Sequence, residues 1–218
     1  MIKYQLDNIV FIDRVSYIQS ICRNKNVLHL GATAAPETIN AIKNGRLLHL
    51  KINEVSRSLI GLDLSTEMIE WLSLNHQINN IHYGNIENPE DYPQENFDVV
   101  VAGEIFEHLS NQGKALNAIK DVMQSNTKLI ITVPNAYSLK GFIRALSKHE
   151  LIHPDHTLHH SPHTLKSLLE RHGFMVESNF SYVNGGQGFA ANIANFLLKS
   201  FPQLAEGIGV ICKLKLNS

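Results

Sequence analysis

The sequence predicts an α/β fold in which a doubly wound, mostly parallel sheet of seven strands carries helices on both faces. Two observations predict this class. Apolar runs of strand length alternate along the chain with stretches whose apolar residues recur at helical spacing. Three of the runs, 26–31, 59–63 and 97–104, also end in glycine or an acidic residue. Because the carboxyl ends of parallel strands line the ligand crevice of such sheets, these runs also predict where a binding site lies.

The first half of the chain contains four predicted strands separated by helices. Apolar residues recur on one helical face from 11 to 23, within an N-terminal helical segment at 1–24. Pro36 is expected to open the next helix, and Asn44-Gly45 to end it. Ser65 is the expected cap of a further helix. The remaining elements are a helix at 47–57 and strands at 27–30, 59–63, 81–84 and 97–102.

The second half continues this alternation and then departs from it. A fifth, fully apolar strand at 128–133 ends at Pro134-Asn135. A histidine-rich region lies beyond it, since seven of the twelve histidines fall between 149 and 172. Ser161-Pro162 is a typical helix start. The other predicted elements are helices at 114–123, 137–147, 162–172 and 189–200 and strands at 174–182 and 209–214.

Composition argues against several classes of function. A net charge of −1 with 44% hydrophobic residues is typical of a globular protein and gives no general attraction to nucleic acid or anionic membranes. No apolar run reaches the roughly 18 residues of a transmembrane helix, and the charged N-terminus is unlike a signal peptide. Cys22 and Cys212 are too few for a disulfide framework. We expect one cytoplasmic domain, 1–218, with a small-molecule partner, no membrane or nucleic-acid partner, and an oligomeric state that stays open.

The order of the strand-end motifs carries a family resemblance. The motifs are His29-Leu-Gly31, Asp63, and Ala102-Gly-Glu104 followed by Glu107-His108. From about 26 to 215, the chain resembles the class I S-adenosylmethionine-dependent methyltransferases. The resemblance implies a Rossmann-like sheet with an antiparallel last strand, S-adenosylmethionine as cofactor and S-adenosylhomocysteine as product.

The same resemblance implies a lid-like insertion at 135–163. Many bacterial members have Pro-Asn after the fifth strand, then Pro-Asp-His and a Ser-Pro-x-Thr-Leu helix. This chain has Pro134-Asn135, Pro154-Asp-His156 and Ser161-Pro-His-Thr-Leu165. Such insertions cover the acceptor pocket, so the histidine-rich region is expected on the substrate side.

The glycine-rich loop of the family is only partly present. The family has an acid followed by Gly-x-Gly-x-Gly. Here Gly31 alone matches, His29 replaces the acid, and Thr33 and Ala35 replace glycines. Positions that need a positive φ would now be strained. An ordinary strand-to-helix turn is the alternative interpretation of this segment.

The adenosine part of the cofactor is expected at the second and third predicted strands. Asp63 can accept both hydrogens of a ribose diol, or it can cap the following helix. Asn85 replaces the family's aspartate, and its amide oxygen can accept from the adenine amino group, with a plain polar turn as the alternative. The predicted cofactor-binding residues are Gly31, Ala32, Thr33, Asp63, Leu64, Asn85, Ile86, Ala102, Gly103 and Glu104. Within this set, Leu64 and Ile86 are expected on the adenine faces and the last three beside the sulfonium.

Methyl transfer is an in-line displacement, so the enzyme aligns the acceptor and removes the proton of a hydroxyl. Glu104, Glu107 and His108 stand at i, i+3 and i+4, which places them on one helical face. His108 has the intrinsic pKa of a general base, and a structural Glu-His pair is the alternative. The predicted catalytic residues are His108, Glu104 and His156. The predicted substrate-binding residues are Tyr137, His159 and His160, with solvated loop histidines as the alternative.

Carboxylates and histidines at this spacing could also hold a divalent metal. The small-RNA 2′-O-methyltransferases have a similar pattern, which here would comprise Glu104, Glu107, His108, Pro134-Asn135 and Asp155-His156. The aromatic and basic residues of that family are absent from this chain, and its net charge is near zero. We therefore expect no metal site.

The sequence thus predicts a methyltransferase that acts on a small or sugar-like acceptor, with O-methylation as the expected reaction. The incomplete loop at 29–35 motivates a second hypothesis, a non-catalytic relative that binds a nucleoside or a protein partner. RNA 2′-O-methylation is a third. A basic groove beside His108 would favour RNA, whereas an enclosed pocket under the histidine-rich region would favour a small acceptor.

Overall fold

The structure is a computed structural model that describes residues 3–6, 8–184 and 198–215. Its strands are β1 (Ile9–Phe11), β2 (Asn26–Leu30), β3 (Ser58–Asp63), β4 (Ile81–Tyr83), β5 (Val99–Gly103), β6 (Lys128–Pro134), β7 (Phe174–Tyr182) and β8 (Gly207–Leu214). Its helices are α1 (Arg14–Cys22), α2 (Thr38–Lys43), α3 (Leu48–Asn53), α4 (Thr66–His76), α5 (Gln112–Val122), α6 (Leu139–Leu146) and α7 (Pro162–Arg171). The described residues form one eight-stranded sheet in the order β1-β7-β8-β6-β5-β2-β3-β4.

The pairing of the strands confirms the predicted fold class. Strand β8 runs antiparallel to β6 and β7, and the other pairs in the described sheet are parallel. The sheet has one strand more than predicted, because Ile9–Phe11 pair with β7 where a helix was expected from residue 11. The helix begins later because the Asp13 carboxylate accepts a hydrogen bond from the Ser16 N–H at 2.9 Å and caps α1.

Other helix boundaries follow the predicted capping residues. Ser65 accepts from the Met68 N–H at 3.3 Å, and Ser161 forms a capping box with Thr164 at the start of α7. Helix α2 begins at Thr38 and not at Pro36. The predicted helix at 47–57 is shorter, because the chain after α3 turns toward β2, where the Arg57 N–H donates to the Lys25 carbonyl at 2.9 Å.

Helices cover both faces of the sheet, and successive strand residues point into two separate cores. Leu28 and Val100 lie in the core beneath α5 and α7, whereas Val27 and Val101 lie in the core beneath α1 and α3. Burial of each such side chain stabilises the fold by roughly 1.5–3 kcal/mol. A shift of one residue would exchange the two faces, so this burial fixes the register that aligns the strand ends.

The 135–163 segment leaves the sheet after β6 and returns to it before α7. Its two ends meet, because the Ala136 N–H donates to the His160 carbonyl at 2.9 Å. Between them, α6 has no buried residue and exposes Phe142, Ile143 and Leu146.

Three predictions about the organisation of the chain have different outcomes. The predicted helix at 189–200 lies mostly outside the described residues. The single domain at 1–218 stays a prediction. Among the helices of the described residues, none has the length and apolar character needed to cross a membrane.

Candidate active site

The loop after β2, the end of β3 and the end of β4 meet around Asp63. The Asp63 carboxylate accepts hydrogen bonds from the Thr33 N–H and the Ser65 N–H, both at 2.9 Å. The Gly84 N–H donates to the Asp63 carbonyl at 2.9 Å. Ser65, not Asp63, caps α4. Each carboxylate oxygen keeps a second lone pair, so Asp63 can still accept from a ligand diol.

The loop after β2 tolerates its missing glycines. Gly31 has a φ of +72°, and a Cβ there would lie 2.9 Å from the Ile105 side chain, so this glycine is required. Thr33 and Ala35, which replace the other two glycines, have ordinary φ angles, and the remaining positive φ, +56°, falls on Ala34. Ala32 and Thr33 are fully buried. The replacements therefore cause no backbone strain at 33 and 35.

His29, which stands where the family has an acid, belongs to a buried chain of hydrogen bonds. Its Nδ1 lies 3.2 Å from the His49 Nδ1, and the His49 Nε2 lies 3.1 Å from the Asn80 Oδ1. Since an amide oxygen only accepts, the His49 Nε2 donates, its Nδ1 accepts from His29, and the His29 Nε2 is left as an acceptor. That Nε2 is buried and has no partner in the described structure.

Burial keeps both histidines of this pair neutral. It lowers the pKa of His29 well below its usual value, and His49 and Arg14 lower it further. Burial also lowers the pKa of His49 to about 4, although Asn80 and Asp63 favour the charged form.

Arg14, at the start of α1, occupies the end of β5 on the α1 side of the sheet. Its Nη2 lies 2.8 Å from the place where a Cβ on Gly103 would be, and Leu48 lies equally close. Its Nε donates to the Thr132 Oγ1 at 3.2 Å, and its guanidinium stands 5.3 Å from the centre of the Tyr182 ring. No carboxylate of the described residues forms an ion pair with Arg14.

These contacts correct the expectation of open space at Ala102 and Gly103. Ala102 is fully buried in the core, and Arg14 and Leu48 cover the free face of Gly103. The space beside these small residues is filled by other side chains of the same chain. A ligand at this strand end would therefore meet the Arg14 guanidinium.

The residues expected around adenine have unequal surroundings. Leu64 is exposed, with 55% of its surface accessible, whereas Ile86 is 5% exposed and packs in the core. The Asn85 Oδ1 already accepts from the Glu87 N–H at 2.9 Å. Leu64 is thus the apolar side chain of the pair that is available to a ligand.

Glu104, Glu107 and His108 do not share a helical face, which corrects the spacing argument. Glu104 has a φ of +57°, and only a 3₁₀ turn, Phe106–His108, follows it. A residue in the left-handed conformation cannot belong to a right-handed helix, so no α-helix begins at Glu104. The Glu104 carboxylate instead accepts hydrogen bonds from the Tyr182 hydroxyl and, at 3.4 Å, from the Asn184 Nδ2.

Glu107 and His108 face the histidines of the 135–163 segment. The His108 ring centre lies 4.5 Å from that of His156 and 5.3 Å from that of His153. The Glu107 carboxylate is 1% exposed with no hydrogen-bond partner in the described structure, and its Oε1 lies 4.0 Å from the His156 Nε2.

The surroundings shift the pKa of Glu107, His108 and His156. Burial, aided by the Glu104 charge, raises the pKa of Glu107 to about 8. Burial, aided by the neighbouring His108, His153 and His159, lowers the pKa of His156 to about 4. The pKa of His108 is lowered mainly by burial. His108 and His156 are therefore neutral at pH 7, with lone pairs available.

A cavity of about 1130 Å³ lies between the strand ends and the 135–163 segment. Glu104 and Asn135 border it on the sheet side, and Tyr137, His156 and His159 border it opposite, so these predicted residues are brought together. His160 is the exception among the predicted substrate-binding residues. It is 7% exposed and does not line the cavity, because the Gln112 Nε2 donates to its Nε2 at 2.9 Å.

The predicted set omitted three residues at this edge. Arg14 and Tyr182 arrive from elements distant in sequence, and nothing in their local pattern indicates that they contact the end of β5. His153 could have been identified from the sequence, because the two histidines of His153-x-x-His156 have the spacing of two metal ligands on one turn.

Comparison with known proteins agrees with the strand-end motifs. The model of the methyltransferase domain family matches residues 15–179. The chain belongs to this family. A curated protein of Mycolicibacterium smegmatis, named a probable S-adenosylmethionine-dependent methyltransferase, is 27% identical over 135 residues, which are 62% of this chain and 50% of that protein. The chain thus spans about half the length of that curated relative.

Solved structures of methyltransferases share the fold. An S-adenosylmethionine-dependent methyltransferase from Archaeoglobus fulgidus superposes with a TM-score of 0.57 at 19% identity, over 91% of this chain and 90% of that one. One from Aquifex aeolicus gives a TM-score of 0.58 at 18% identity, over 92% and 88%. The predicted family and its Rossmann-like fold are confirmed.

Proposed function

We propose that this methyltransferase-family chain transfers the methyl group of S-adenosylmethionine to a hydroxyl of a small or sugar-like acceptor. The observation that carries the proposal is the cavity at the strand ends, which polar side chains border on the sheet side and histidines border on the opposite side. A concave site with a few convergent polar groups is the usual form of a small-molecule site.

The cofactor would lie across the ends of β2 and β3. Asp63 accepts from the ribose diol, the exposed Leu64 packs on adenine, and Asn85 contacts the adenine edge, beside the backbone of 31–33. Family likeness and the hydrogen bond between Thr33 and Asp63 support this arrangement.

Two residues that sequence reasoning did not assign would hold the amino-acid end of the cofactor. Arg14, without an ionic partner in the described structure, offers charge-assisted hydrogen bonds to a carboxylate. The His29 Nε2 is a buried acceptor that an ammonium group can satisfy. The two side chains are close enough for Arg14 to lower the pKa of His29, so together they complement a zwitterion.

The chemistry requires the acceptor oxygen to attack the methyl carbon as the C–S bond breaks, while the hydroxyl proton leaves. His156 lines the cavity, and the His108 ring lies beside it, with 4.5 Å between the two ring centres. Their lowered pKa values keep both imidazoles neutral, so each has a lone pair free for the hydroxyl proton, while burial makes each a weaker base than a solvated histidine. Glu104 is held by Tyr182 and borders the same cavity.

Calorimetric titration of the chelator-treated protein with S-adenosylmethionine and S-adenosylhomocysteine tests the cofactor site. We expect micromolar binding, and Asp63→Ala should weaken it by about 2 kcal/mol, or about 30-fold. Asp121→Ala, an exposed acid on α5, is the control and should bind as the wild type does. Circular dichroism would verify that the loop contacts of Asp63 do not unfold the variant. Absence of binding in the wild type would overturn the proposal.

The acceptor is tested separately by release of S-adenosylhomocysteine. A panel of hydroxylated small molecules and a structured RNA would be incubated with cofactor and protein. Turnover with a small hydroxylated compound supports the proposal. Turnover with RNA alone, or tight cofactor binding with no turnover on any acceptor, would favour the other two hypotheses.

A further inference from the structure

Three histidines from two distant parts of the chain converge beside the cavity. His108 ends the 3₁₀ turn after β5, whereas His153 and His156 belong to the 135–163 segment. Each offers one ring nitrogen, and these three atoms lie within 4.8 Å of one another. The three side chains are half-buried, so they are partly removed from water but still reachable from it.

A second observation at the same place is a buried carboxyl group without a partner. Both carboxylate oxygens of Glu107 are buried without a hydrogen-bond partner among the described residues. The nearest histidine nitrogen, the His156 Nε2, stands 4.0 Å away. A buried acidic side chain without a partner is costly, and a cation beside it removes that cost.

We propose that His108, His153 and His156 bind a divalent transition metal of the zinc class and thereby fasten the 135–163 segment to the turn after β5. Neutral imidazoles are suitable ligands for zinc and its neighbours in the transition series. With metal–nitrogen bonds of about 2.0–2.1 Å, ligand nitrogens in a tetrahedral site are about 3.4 Å apart, so small ring rotations complete the site. The fourth position is open to Glu107 or to water.

The backbone already holds the two parts of the site in register. The Thr157 N–H donates to the Glu107 carbonyl at 2.9 Å, and its hydroxyl donates to the same oxygen at 3.2 Å. The site shares His108, His156 and the nearby Glu107 with the set that the sequence pattern suggested, and it has His153 where that set has Glu104. The Glu104 carboxylate accepts a hydrogen bond from the Tyr182 hydroxyl, and His153 takes part in the cluster instead.

The site would also change the chemistry of the proposed function, and this step rests on that function. His153 and His156 line the cavity, so the metal would border the acceptor. Where water holds the fourth position, an acceptor hydroxyl that replaces this water would lose its proton more readily, with the proton passing to solvent. The imidazoles then act as ligands and not as bases.

Cobalt titration tests the site independently of cofactor binding and turnover. The protein would be produced without a histidine tag, stripped with a chelator and titrated with Co²⁺, whose visible absorption reports tetrahedral nitrogen ligands. We expect one ion per chain, and Zn²⁺ should displace it. His153→Ala should weaken binding by at least about 100-fold. His149→Ala removes an exposed histidine of the same segment that is not part of the three-histidine group, and it should bind as the wild type does.

Measurement of the thermal unfolding temperature shows whether His153→Ala has a folding defect. His153 lies outside every helix and strand of the described structure, so the metal-free variant should unfold at the temperature of the metal-free wild type. Zn²⁺ should raise that temperature for the wild type and for His149→Ala, but not for His153→Ala. The proposal fails if the wild type binds no Co²⁺, or if the two variants lose binding equally, which would indicate diffuse binding by a histidine-rich surface.

Discussion

The loop after β2 shows how a single backbone angle can matter more than a motif. Its positive φ angles fall on Gly31 and Ala34, and not on Thr33 or Ala35, where the family has glycines. A left-handed conformation costs a residue with a side chain roughly 1–2 kcal/mol. The loop is therefore strained at a position that the motif does not mark.

Ala34→Gly should stabilise the protein. It removes the strain at φ +56° but makes the unfolded chain more flexible, so we expect a net gain of up to about 1 kcal/mol in the free energy of unfolding. Chemical denaturation measures it. Ala136→Gly is the control, because this exposed residue has an ordinary φ and should lose stability. Equal losses in both variants would show that Ala34 is not strained.

Arg14→Gln should weaken binding of the amino-acid half of the cofactor and leave binding of the adenosine half unchanged. We expect S-adenosylmethionine and S-adenosylhomocysteine to bind about 10- to 100-fold more weakly, because a charge-assisted contact to their carboxylate is lost. Methylthioadenosine has no carboxylate and should bind unchanged. Arg57→Gln, at the opposite end of the sheet, provides the control for lost surface charge. Equal weakening of all three ligands by Arg14→Gln would mean that Arg14 supports the fold and not the carboxylate.

At the scale of elements, two helices with the same capping residue have very different packing. Ser161 caps α7, which buries Leu165 and Leu169, whereas Ser138 caps α6, which buries nothing. A helix without buried residues can unfold locally while the core persists. The same substitution should therefore have unequal effects.

Ser161→Ala should lower the global free energy of unfolding by about 1–2 kcal/mol, since a cap of a packed helix is lost. Ser138→Ala should change it by less than about 0.5 kcal/mol, although α6 frays more readily. Denaturation of both variants gives the global values, and hydrogen exchange of the α6 amides gives the local one. A large global loss in Ser138→Ala would mean that α6 packs against the fold.

Sequence patterns predicted those elements whose determinants are local. Alternating apolar residues and the caps at Ser65 and Ser161 act over a few residues, and the matching elements were found. Strand β1 was missed because its three residues become a strand only through pairing with β7. The burial of His160 could not be predicted, because its partner, Gln112, lies 48 residues away and meets it only in the folded chain.

At the scale of the whole molecule, distant segments meet at one edge of the sheet. Arg14 from the first helix and Tyr182 from the seventh strand both reach the end of β5. His49 from α3 reaches His29 of β2 and Asn80 before β4. Because neutral histidines lie at the centre of this assembly, protonation of the pair should oppose folding as a whole.

The titration of His49 should therefore lower the stability as the pH falls from about 6.5 to 4. The pKa of His49 is about 4 in the folded protein and 6.5 in the unfolded chain. The unfolded chain therefore takes up a proton at a higher pH than the folded protein does. This difference lowers the free energy of unfolding by about 3 kcal/mol over this range. Arg14 and Asp63 also face the pair. His49→Gln removes this titration, so its unfolding free energy should depend less on pH than that of the wild type. Denaturant unfolding at several pH values measures the difference, and parallel curves would show that His49 is not held neutral.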